Sequence, residues 1–260
     1  MIDGKKFTAL LSSMATTRPG YEGAYLNLRS TCLQKASKLG YAFSYGFTAH
    51  GITNNEIERM IARKLGYSWY QISSFHPLIA LQRRVFNCCA GEPADEIELS
   101  DFQKGDLEPC IAIIKAGLEK IKIYGIPISS ELIYDLADHP FNKTFVIKKR
   151  GQIQGLMNVR LVKMASNQHA YKSCIVYNLF IDSLTFDEKK YAIRHLASYC
   201  MANHIEGISI PNTGYFDVDV MKAMGFREHT SARNKTNLTF TALGGNGFSN
   251  LNGGFHLEIV

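Results

Sequence analysis

Five side chains of this sequence could move a proton in a reaction: the phenols of Tyr45 and Tyr215, the carboxylate of Asp182, and the imidazoles of His50 and His195. A phenol can donate a proton to a leaving group, and a carboxylate or an imidazole can accept one from an attacking group. Each type also has an ordinary structural use. Tyrosines on strands more often pack in a core, an aspartate at a strand end more often caps a helix, and a histidine on an apolar helix face is more often a core residue. These residue types therefore indicate candidates for acid–base chemistry, but they do not show which candidate is catalytic.

The sequence lacks the short motifs of several enzyme classes. It contains no HExxH motif, no GxxxxGK[ST] phosphate loop and no zinc quartet, and a Ser-His-Asp arrangement cannot be recognised from one sequence. The six cysteines include no CxxC pair, and the adjacent Cys88 and Cys89 suit neither a mutual disulfide nor zinc spacing. This pattern predicts reduced thiols and no metal ion.

The composition is that of a folded protein, with 46% hydrophobic and 20% charged residues among 260. The net charge of +6 is mildly basic, but the basic clusters are short and form no long stripe, which argues against a general nucleic-acid binder. A mild positive charge suits an anionic ligand such as the phosphates of a coenzyme. No apolar run is long enough for a membrane helix, and the first residues do not form a signal peptide. We therefore predict a soluble cytoplasmic protein.

The order of the predicted elements repeats along the chain. The first run is strand, helix, strand, helix, strand, with predicted bounds 7–15, 23–39, 41–47, 56–65 and 67–75. A polar, turn-rich stretch over 84–108 is predicted to be a connector, and the chain then continues with further helices and strands. These are helices at 109–120 and 128–138, a hairpin of 144–149 and 153–164, a strand at 173–181, a helix at 186–203, a strand at 206–210, a helix at 216–224 and strands within 226–243.

Two local phrases mark corresponding points of the repeat. The second helix of the first run ends in KLGY (64–67), and the helix at 216–224 is followed by Gly225 and Phe226 in the phrase AMGF (223–226). In each phrase the glycine is predicted to end the helix in a left-handed turn, and the aromatic residue to begin the next strand. An internal repeat of this kind outweighs any single motif.

This element order and the "LGF"-type phrase resemble the GNAT superfamily of N-acyltransferases. The resemblance implies an α/β fold with a mixed sheet flanked by helices, in two copies of which the first is incomplete at its N-terminus. It divides the chain into a partial N-terminal unit over 1–83, the connector over 84–108 and a C-terminal GNAT-like domain over 109–260. It leaves open whether a second copy of the chain or another partner chain completes the first sheet.

The resemblance also implies where an acyl-CoA co-substrate would bind. The phrase over 17–26 looks like the family's pyrophosphate loop, in which backbone N–H groups and a helix N-terminus hold the diphosphate of coenzyme A. Cofactor-binding residues are accordingly expected at the end of the first strand and the start of the next helix: Met14, Ala15, Thr16, Gly23, Ala24 and Tyr25. Tyr25 stands where the family has a glycine, and no comparable loop precedes the helix at 186–203.

Catalytic residues follow from the same resemblance. GNAT enzymes hold an acyl thioester between two splayed parallel strands and use an acid for the thiolate, often a tyrosine on the last helix, which neither copy retains. The resemblance makes Tyr45 and Tyr215 substitutes for that acid and Asp182 a candidate base. Asn212 resembles a substrate-site asparagine between strand and helix.

Three functions remain open on the sequence alone. The first is an N-acyltransferase that moves an acyl group from acyl-CoA, or another thioester, to a small-molecule or peptide amine. The second is a transferase of tandem-GNAT type that uses aminoacyl-tRNA. The third is a non-catalytic GNAT-like binding or scaffold protein, which the altered loop and the absent acid favour.

Overall fold

The computed structural model describes residues 2, 5, 7, 9–12, 22–49, 52–88, 97–121, 123–124, 134–165, 170–231, 235–244 and 255–256. The chain forms two compact units. Unit 1 contains residues 1–76, 230–253 and 259–260, and unit 2 contains residues 77–229 and 254–258. Each unit has its own sheet and its own helices.

The secondary-structure elements are labelled in chain order. The strands are β1 (Ala9–Ser12), β2 (Phe43–Ala49), β3 (Ser68–Phe75), β4 (Pro77–Leu81), β5 (Ile97–Asp101), β6 (Ile123–Tyr124), β7 (Asn142–Lys149), β8 (Gln152–Ala165), β9 (Ala170–Phe180), β10 (Gly207–Pro211), β11 (Arg227–Glu228), β12 (Thr236–Ala242) and β13 (Phe255–His256). The helices are α1 (Glu22–Lys38), α2 (Ile52–Lys64), α3 (Gln82–Asn87), α4 (Leu107–Leu118), α5 (Phe186–Ala202) and α6 (Val218–Ala223). None of the helices in the described ranges is both long and apolar enough to cross a membrane.

The two larger sheets are mixed. The sheet of unit 1 has four strands in the order β1-β2-β12-β3, with β1 and β2 parallel and β12 antiparallel to both of its neighbours. The sheet of unit 2 has seven strands in the order β11-β4-β10-β9-β8-β7-β5, with β9 and β10 parallel. A short parallel pair of β6 and β13 completes unit 2. The predicted α/β class with a mixed sheet and flanking helices is confirmed.

The element order β1-α1-β2-α2-β3 recurs as β9-α5-β10-α6-β11. In each unit an antiparallel strand from outside the run lies between the last two strands of the run. That strand is β12, between β2 and β3, in unit 1, and β4, between β10 and β11, in unit 2. Strand β4 follows β3 along the chain but pairs in the sheet of unit 2. Strand β12 follows β11 along the chain but pairs in the sheet of unit 1.

This exchange of strands sets the boundaries of the units. The sequence predicted boundaries at 83 and 109, whereas the compact units divide between His76 and Pro77 and between His229 and Thr230. The predicted connector over 84–108 also contains regular structure, namely the end of α3, all of β5 and the start of α4. Strand β5 forms because Ile97, which is buried, and Leu99 alternate with polar residues and pair with β7.

The C-terminal ends of α2 and α6 have the same backbone geometry. Gly66 after α2 and Gly225 after α6 have φ of +74° and +83°. The next amides, of Tyr67 and Phe226, bond back to carbonyls five residues earlier, at Ala62 and Met221. This is the Schellman arrangement, which favours glycine because it has no Cβ to strain the left-handed backbone.

The surroundings of these two glycines differ. A Cβ at Gly66 would lie in open space, whereas one at Gly225 would lie 3.0 Å from side-chain atoms of Arg84 and Cys88. Glycine is therefore favoured at position 225 for two reasons: the backbone is left-handed, and a side chain would be crowded by Arg84 and Cys88.

Most other predicted elements lie within a few residues of their observed bounds, and the hairpin of β7 and β8 is antiparallel as predicted. The helix predicted over 128–138 is the exception. Its last five residues, Tyr134–Asp138, form a π-helical turn, and residues 128–133 lie outside the described part of the chain.

Candidate functional site

The parallel strands of unit 2 separate after a short paired stretch. Strands β9 and β10 pair from Ser173–Gly207 to Ile175–Ser209. Strand β10 pairs along its whole length with β4 on its other edge, and beyond Ile175 strand β9 continues to Phe180 beside β8. The carboxyl end of β9 therefore presents a backbone edge toward β10 that the described ladder does not use.

A β-bulge lies at this position in β9. Val159 of β8 pairs with Val176, and Asn158 pairs with Asn178, so Tyr177 is the extra residue of the bulge. A bulge bends its strand and increases the local twist. The bend in β9 is consistent with the separation of β9 from β10.

The hydroxyl of Tyr215 lies at this backbone edge. It accepts a hydrogen bond from the amide of Leu179 at 3.0 Å and donates one to the carbonyl of Tyr177 at 3.2 Å. Burial raises the pKa of the Tyr215 phenol far above its ordinary value, the hydrogen bond from Leu179 opposes this rise, and the nearby charge of Asp182 adds to it. A phenol with a raised pKa holds its proton more tightly, which makes it a weaker acid.

Asp182 follows the end of β9, where the sequence placed it. Its carboxylate accepts a hydrogen bond from the ammonium of Lys120 at 3.1 Å, and both side chains are exposed. A small groove of about 150 Å³ adjoins this pair and is lined by α4, by the end of β9 and by Ile153 and Gln154 of β8. Asn212 follows β10 directly and is half-buried, three residues before Tyr215.

The N-terminus of α5 is capped by its own side chains. The Thr185 hydroxyl accepts from the amide of Glu188, and the Glu188 carboxylate accepts from the amide of Thr185 at 2.8 Å. Glu188 also pairs with Lys149 at 2.8 Å. The hydrogen bond from Lys149, followed by that from the Thr185 amide, lowers the pKa of Glu188. The helix end that would face a diphosphate in unit 2 therefore already holds a carboxylate.

In unit 1 the parallel pair is β1 and β2. The described register runs from Ala9–Phe43 to Ser12–Gly46. The predicted cofactor-binding residues Met14, Ala15 and Thr16 lie outside the described residues. Gly23 and Ala24 lie in the first turn of α1 and are exposed.

Tyr45 lies on β2 opposite Leu11 of β1. Its ring is half-buried and makes edge contacts with the rings of Phe47 and Phe240, at centroid distances of 6.4 and 6.3 Å. Tyr45 thus belongs to an aromatic layer on one face of the sheet. Its role as a proton donor stays a prediction.

A buried polar cluster that the sequence analysis missed lies on the helix-facing side of the same sheet. The Arg29 guanidinium pairs with the Glu58 carboxylate at 3.0 and 3.1 Å and donates to the Ser44 hydroxyl at 3.3 Å. Tyr25, predicted to bind the cofactor, donates its hydroxyl proton to Glu58. Burial, and then this carboxylate, raise the pKa of Tyr25. The Arg29–Glu58–Tyr25 cluster ties the first turns of α1 to α2 and β2.

One sequence signal could have indicated this cluster. Glu58 lies between Ile57 and Ile61 on a face of α2 that is otherwise apolar, and a charged residue at such a position usually has a buried partner. Nothing in the sequence spacing identifies Arg29 as that partner.

The predicted site residues divide between the two units. Asp182, Asn212 and Tyr215 lie in unit 2, whereas Gly23, Ala24, Tyr25 and Tyr45 lie in unit 1. His195 is half-buried on α5 beside Phe145, and burial lowers its pKa, which fits the structural interpretation of this histidine. Within the described ranges, no three His, Cys, Asp or Glu side chains cluster closely enough to hold a metal ion.

Comparison with known proteins identifies the fold. No protein-family profile and no curated protein matches the sequence. Among solved structures, N-myristoyltransferase from Saccharomyces cerevisiae with bound myristoyl-CoA aligns with 100% of this chain and 70% of its own, at 9% identity and a TM-score of 0.67. A tandem GNAT protein from the clavulanic acid biosynthesis pathway aligns with 92% of this chain and 77% of its own, at 12% identity and a TM-score of 0.57.

A third similar structure is a GCN5-related N-acetyltransferase from Kribbella flavida, at 13% identity and a TM-score of 0.52 over 90% of this chain. The chain spans about half of that protein, 53% of its length. At these identities the likeness concerns the fold. The chain therefore has the GNAT N-acyltransferase fold, as the sequence predicted.

Proposed function

We propose that this protein is an N-acyltransferase that moves an acyl group from acyl-CoA, or another acyl thioester, to an amine. The main support is the parallel pair β1 and β2 in unit 1, which are connected by α1 and pair from Ala9–Phe43 to Ser12–Gly46. Helix α1 follows β1 and carries Gly23 and Ala24, exposed, in its first turn. A helix N-terminus that follows the first of two parallel strands suits the diphosphate of an acyl-CoA whose thioester lies beside those strands.

The proposed chemistry is direct transfer. The nitrogen of a neutral amine attacks the thioester carbonyl carbon and forms a tetrahedral intermediate, the C–S bond then breaks, and the amide forms as nitrogen loses one proton to water. Backbone N–H groups at Met14 to Thr16 would polarise the carbonyl oxygen, as such donors do in an oxyanion hole. Tyr45 would give its proton to the departing thiolate, because it lies on β2, one of the two parallel strands that would flank the thioester.

Binding tests this proposal without knowledge of the acceptor. At a hundredfold excess over Kd a ligand stabilises its protein by about 2.7 kcal/mol, which raises the Tm of a chain of this size by roughly 5–10 °C. We expect such a shift with acetyl-CoA or a long-chain acyl-CoA. The same thioester should then release free thiol when a library of amines is added. No shift with any acyl-CoA or with an acyl-pantetheine thioester would refute the proposal.

A second candidate function is non-catalytic ligand binding by a GNAT-like scaffold. It is favoured by Tyr25, which stands where the family has a glycine and whose hydroxyl bonds to Glu58. This candidate predicts a thermal shift with acyl-CoA but no thiol release with any amine. A shift with aminoacyl-tRNA and none with acyl-CoA would instead favour the tRNA-dependent transferase.

A further inference from the structure

The geometry points to Tyr215 as a built-in occupant of the strand gap of unit 2, in the position where an acyl thioester would bind. We infer that this gap is closed to acyl thioesters by the chain's own phenol. The inference rests on the proposed function for the kind of ligand that is excluded. It also replaces the acid role that the sequence predicted for Tyr215.

The first argument is the match between the phenol and the strand edge. Where β9 leaves β10, the amide of Leu179 and the carbonyl of Tyr177 point into the gap and need one acceptor and one donor. A hydroxyl supplies both from a single atom. A bound thioester would use the same edge, with its carbonyl oxygen accepting from the amide and an amide of its pantetheine arm donating to the carbonyl.

The second argument is the fixed position of the ring. Tyr215 packs against Phe180 at 5.8 Å and against Phe216 at 5.3 Å between ring centroids. Two hydrogen bonds and two aromatic neighbours hold this side chain, so a ligand would have to break all of these contacts to enter. Such a set of contacts is typical of a side chain with a fixed structural position and not of one that moves aside for a ligand.

The third argument is independent of Tyr215. At the N-terminus of α5 the capping box uses the amides of Thr185 and Glu188, and the Glu188 carboxylate, which pairs with Lys149, places an acidic group in the first turn, where a diphosphate would need hydrogen-bond donors. The first turn of α5 is therefore poorly suited to the diphosphate of coenzyme A. Opening the gap alone should admit only a thioester that lacks the nucleotide.

The experiment counts binding sites for S-acetylpantetheine, an uncharged thioester without a diphosphate, by calorimetric titration of the full chain. We expect the Tyr215→Ala variant to bind one more molecule per chain than the wild type. If the proposed function holds, the wild type binds one molecule per chain and Tyr215→Ala binds two. If unit 1 binds no thioester, the wild type binds none and Tyr215→Ala binds one. The number of sites in the wild type therefore tests the proposed function, and the difference between the two proteins tests this inference.

The matched control is Tyr199→Ala. Tyr199 is a half-buried aromatic residue of the same unit that packs against Phe145 on α5's side of the sheet, so its loss weakens the core without opening the strand gap. We expect the wild-type number of sites in this variant. An equal number of sites in folded Tyr215→Ala and in the wild type would overturn the inference.

A gentler variant keeps the inference testable if Tyr215→Ala does not fold. Tyr215→Phe retains the ring and removes the hydroxyl that bonds to Leu179. We expect the Leu179 amide to exchange with deuterium at least about tenfold faster in this variant, with no comparable change in the amides that pair β9 with β8. Unchanged exchange at Leu179 would show that the hydroxyl does not occupy the strand edge and would refute the inference.

Discussion

Replacing Glu58 by alanine removes the carboxylate to which both Arg29 and Tyr25 are bonded. The ion pair is buried, with side chains 8% and 7% exposed. Breaking a buried pair from one side leaves an uncompensated charge and costs about 3–5 kcal/mol, whereas an exposed pair contributes at most about 1 kcal/mol. We therefore expect Glu58→Ala to lower the free energy of unfolding of unit 1 by about 3–5 kcal/mol.

The single tryptophan, Trp69, lies on β3 and makes this prediction measurable within unit 1. Urea unfolding followed by its fluorescence reports on the sheet that the Arg29–Glu58–Tyr25 cluster supports. With an m-value of about 2 kcal/mol/M, the expected loss moves the midpoint down by roughly 2 M. The matched control is Glu56→Ala, which removes an exposed glutamate from the same helix and should change stability by less than about 0.5 kcal/mol.

A double variant separates the charge from the packing. Arg29→Met with Glu58→Leu removes both charges and keeps apolar volume, so it should recover most of the Glu58→Ala loss, because replacing a whole buried pair is often neutral. The remaining loss comes from the hydroxyls of Tyr25 and Ser44, which bond to this pair in the wild type. A Glu58→Ala loss no larger than that of Glu56→Ala would refute the reasoning. So would a double variant as unstable as the single one.

Three further predictions follow from the described geometry. Gly66→Ala should lower the free energy of unfolding by about 1–2 kcal/mol, because alanine is strained in a left-handed backbone. Gly225→Ala should lower it by about 1–3 kcal/mol more, because its Cβ would also be crowded. Thermal unfolding of the two variants compares these losses, and equal losses would contradict the steric argument. The lowered pKa of Glu188 makes a contribution to stability that is present above its ordinary value of 4.5 and is lost as the pH falls through the folded-state value. Glu188→Gln should therefore flatten the fall in Tm on acidification below about pH 5, and an unchanged slope would count against the Lys149 hydrogen bond. If Tyr45 protonates the thiolate, Tyr45→Phe should lower kcat by about 10²–10⁴-fold with little change in Tm, and a kcat equal to the wild type's would remove Tyr45 from the mechanism.

The repeat could be predicted because its signals are local. The glycines at 66 and 225, the aromatic residues after them and the helical spacing of apolar residues all act within a few positions along the chain. The exchange of β4 and β12 could not be predicted in this way. Strand pairing joins segments far apart in sequence, and nothing in the pattern of β4 specifies β10 and β11 as its neighbours.

The candidate sites show the same limit. The sequence indicated Tyr215 and Asp182 as ionisable groups at element ends, which is a local property, and the structure places both near the end of β9. What each hydroxyl or carboxylate bonds to depends on contacts of long sequence separation, 36 positions for Tyr215 with Leu179 and 29 for Arg29 with Glu58. A resemblance to a family supplied the expected place of the thioester. The family resemblance gives no sign that the Tyr215 phenol bonds to the strand edge at the corresponding place in unit 2.

The central claim is that an acyl thioester binds between the parallel strands of unit 1, and the most direct test is a crystal structure with a non-hydrolysable analogue such as acetonyl-CoA. The account predicts one analogue per chain, with its carbonyl between β1 and β2, its diphosphate at the N-terminus of α1, and Tyr215 unmoved in unit 2. A crystal grown at saturating analogue that shows no ligand between β1 and β2, or that shows the analogue in unit 2 with Tyr215 displaced, would contradict it.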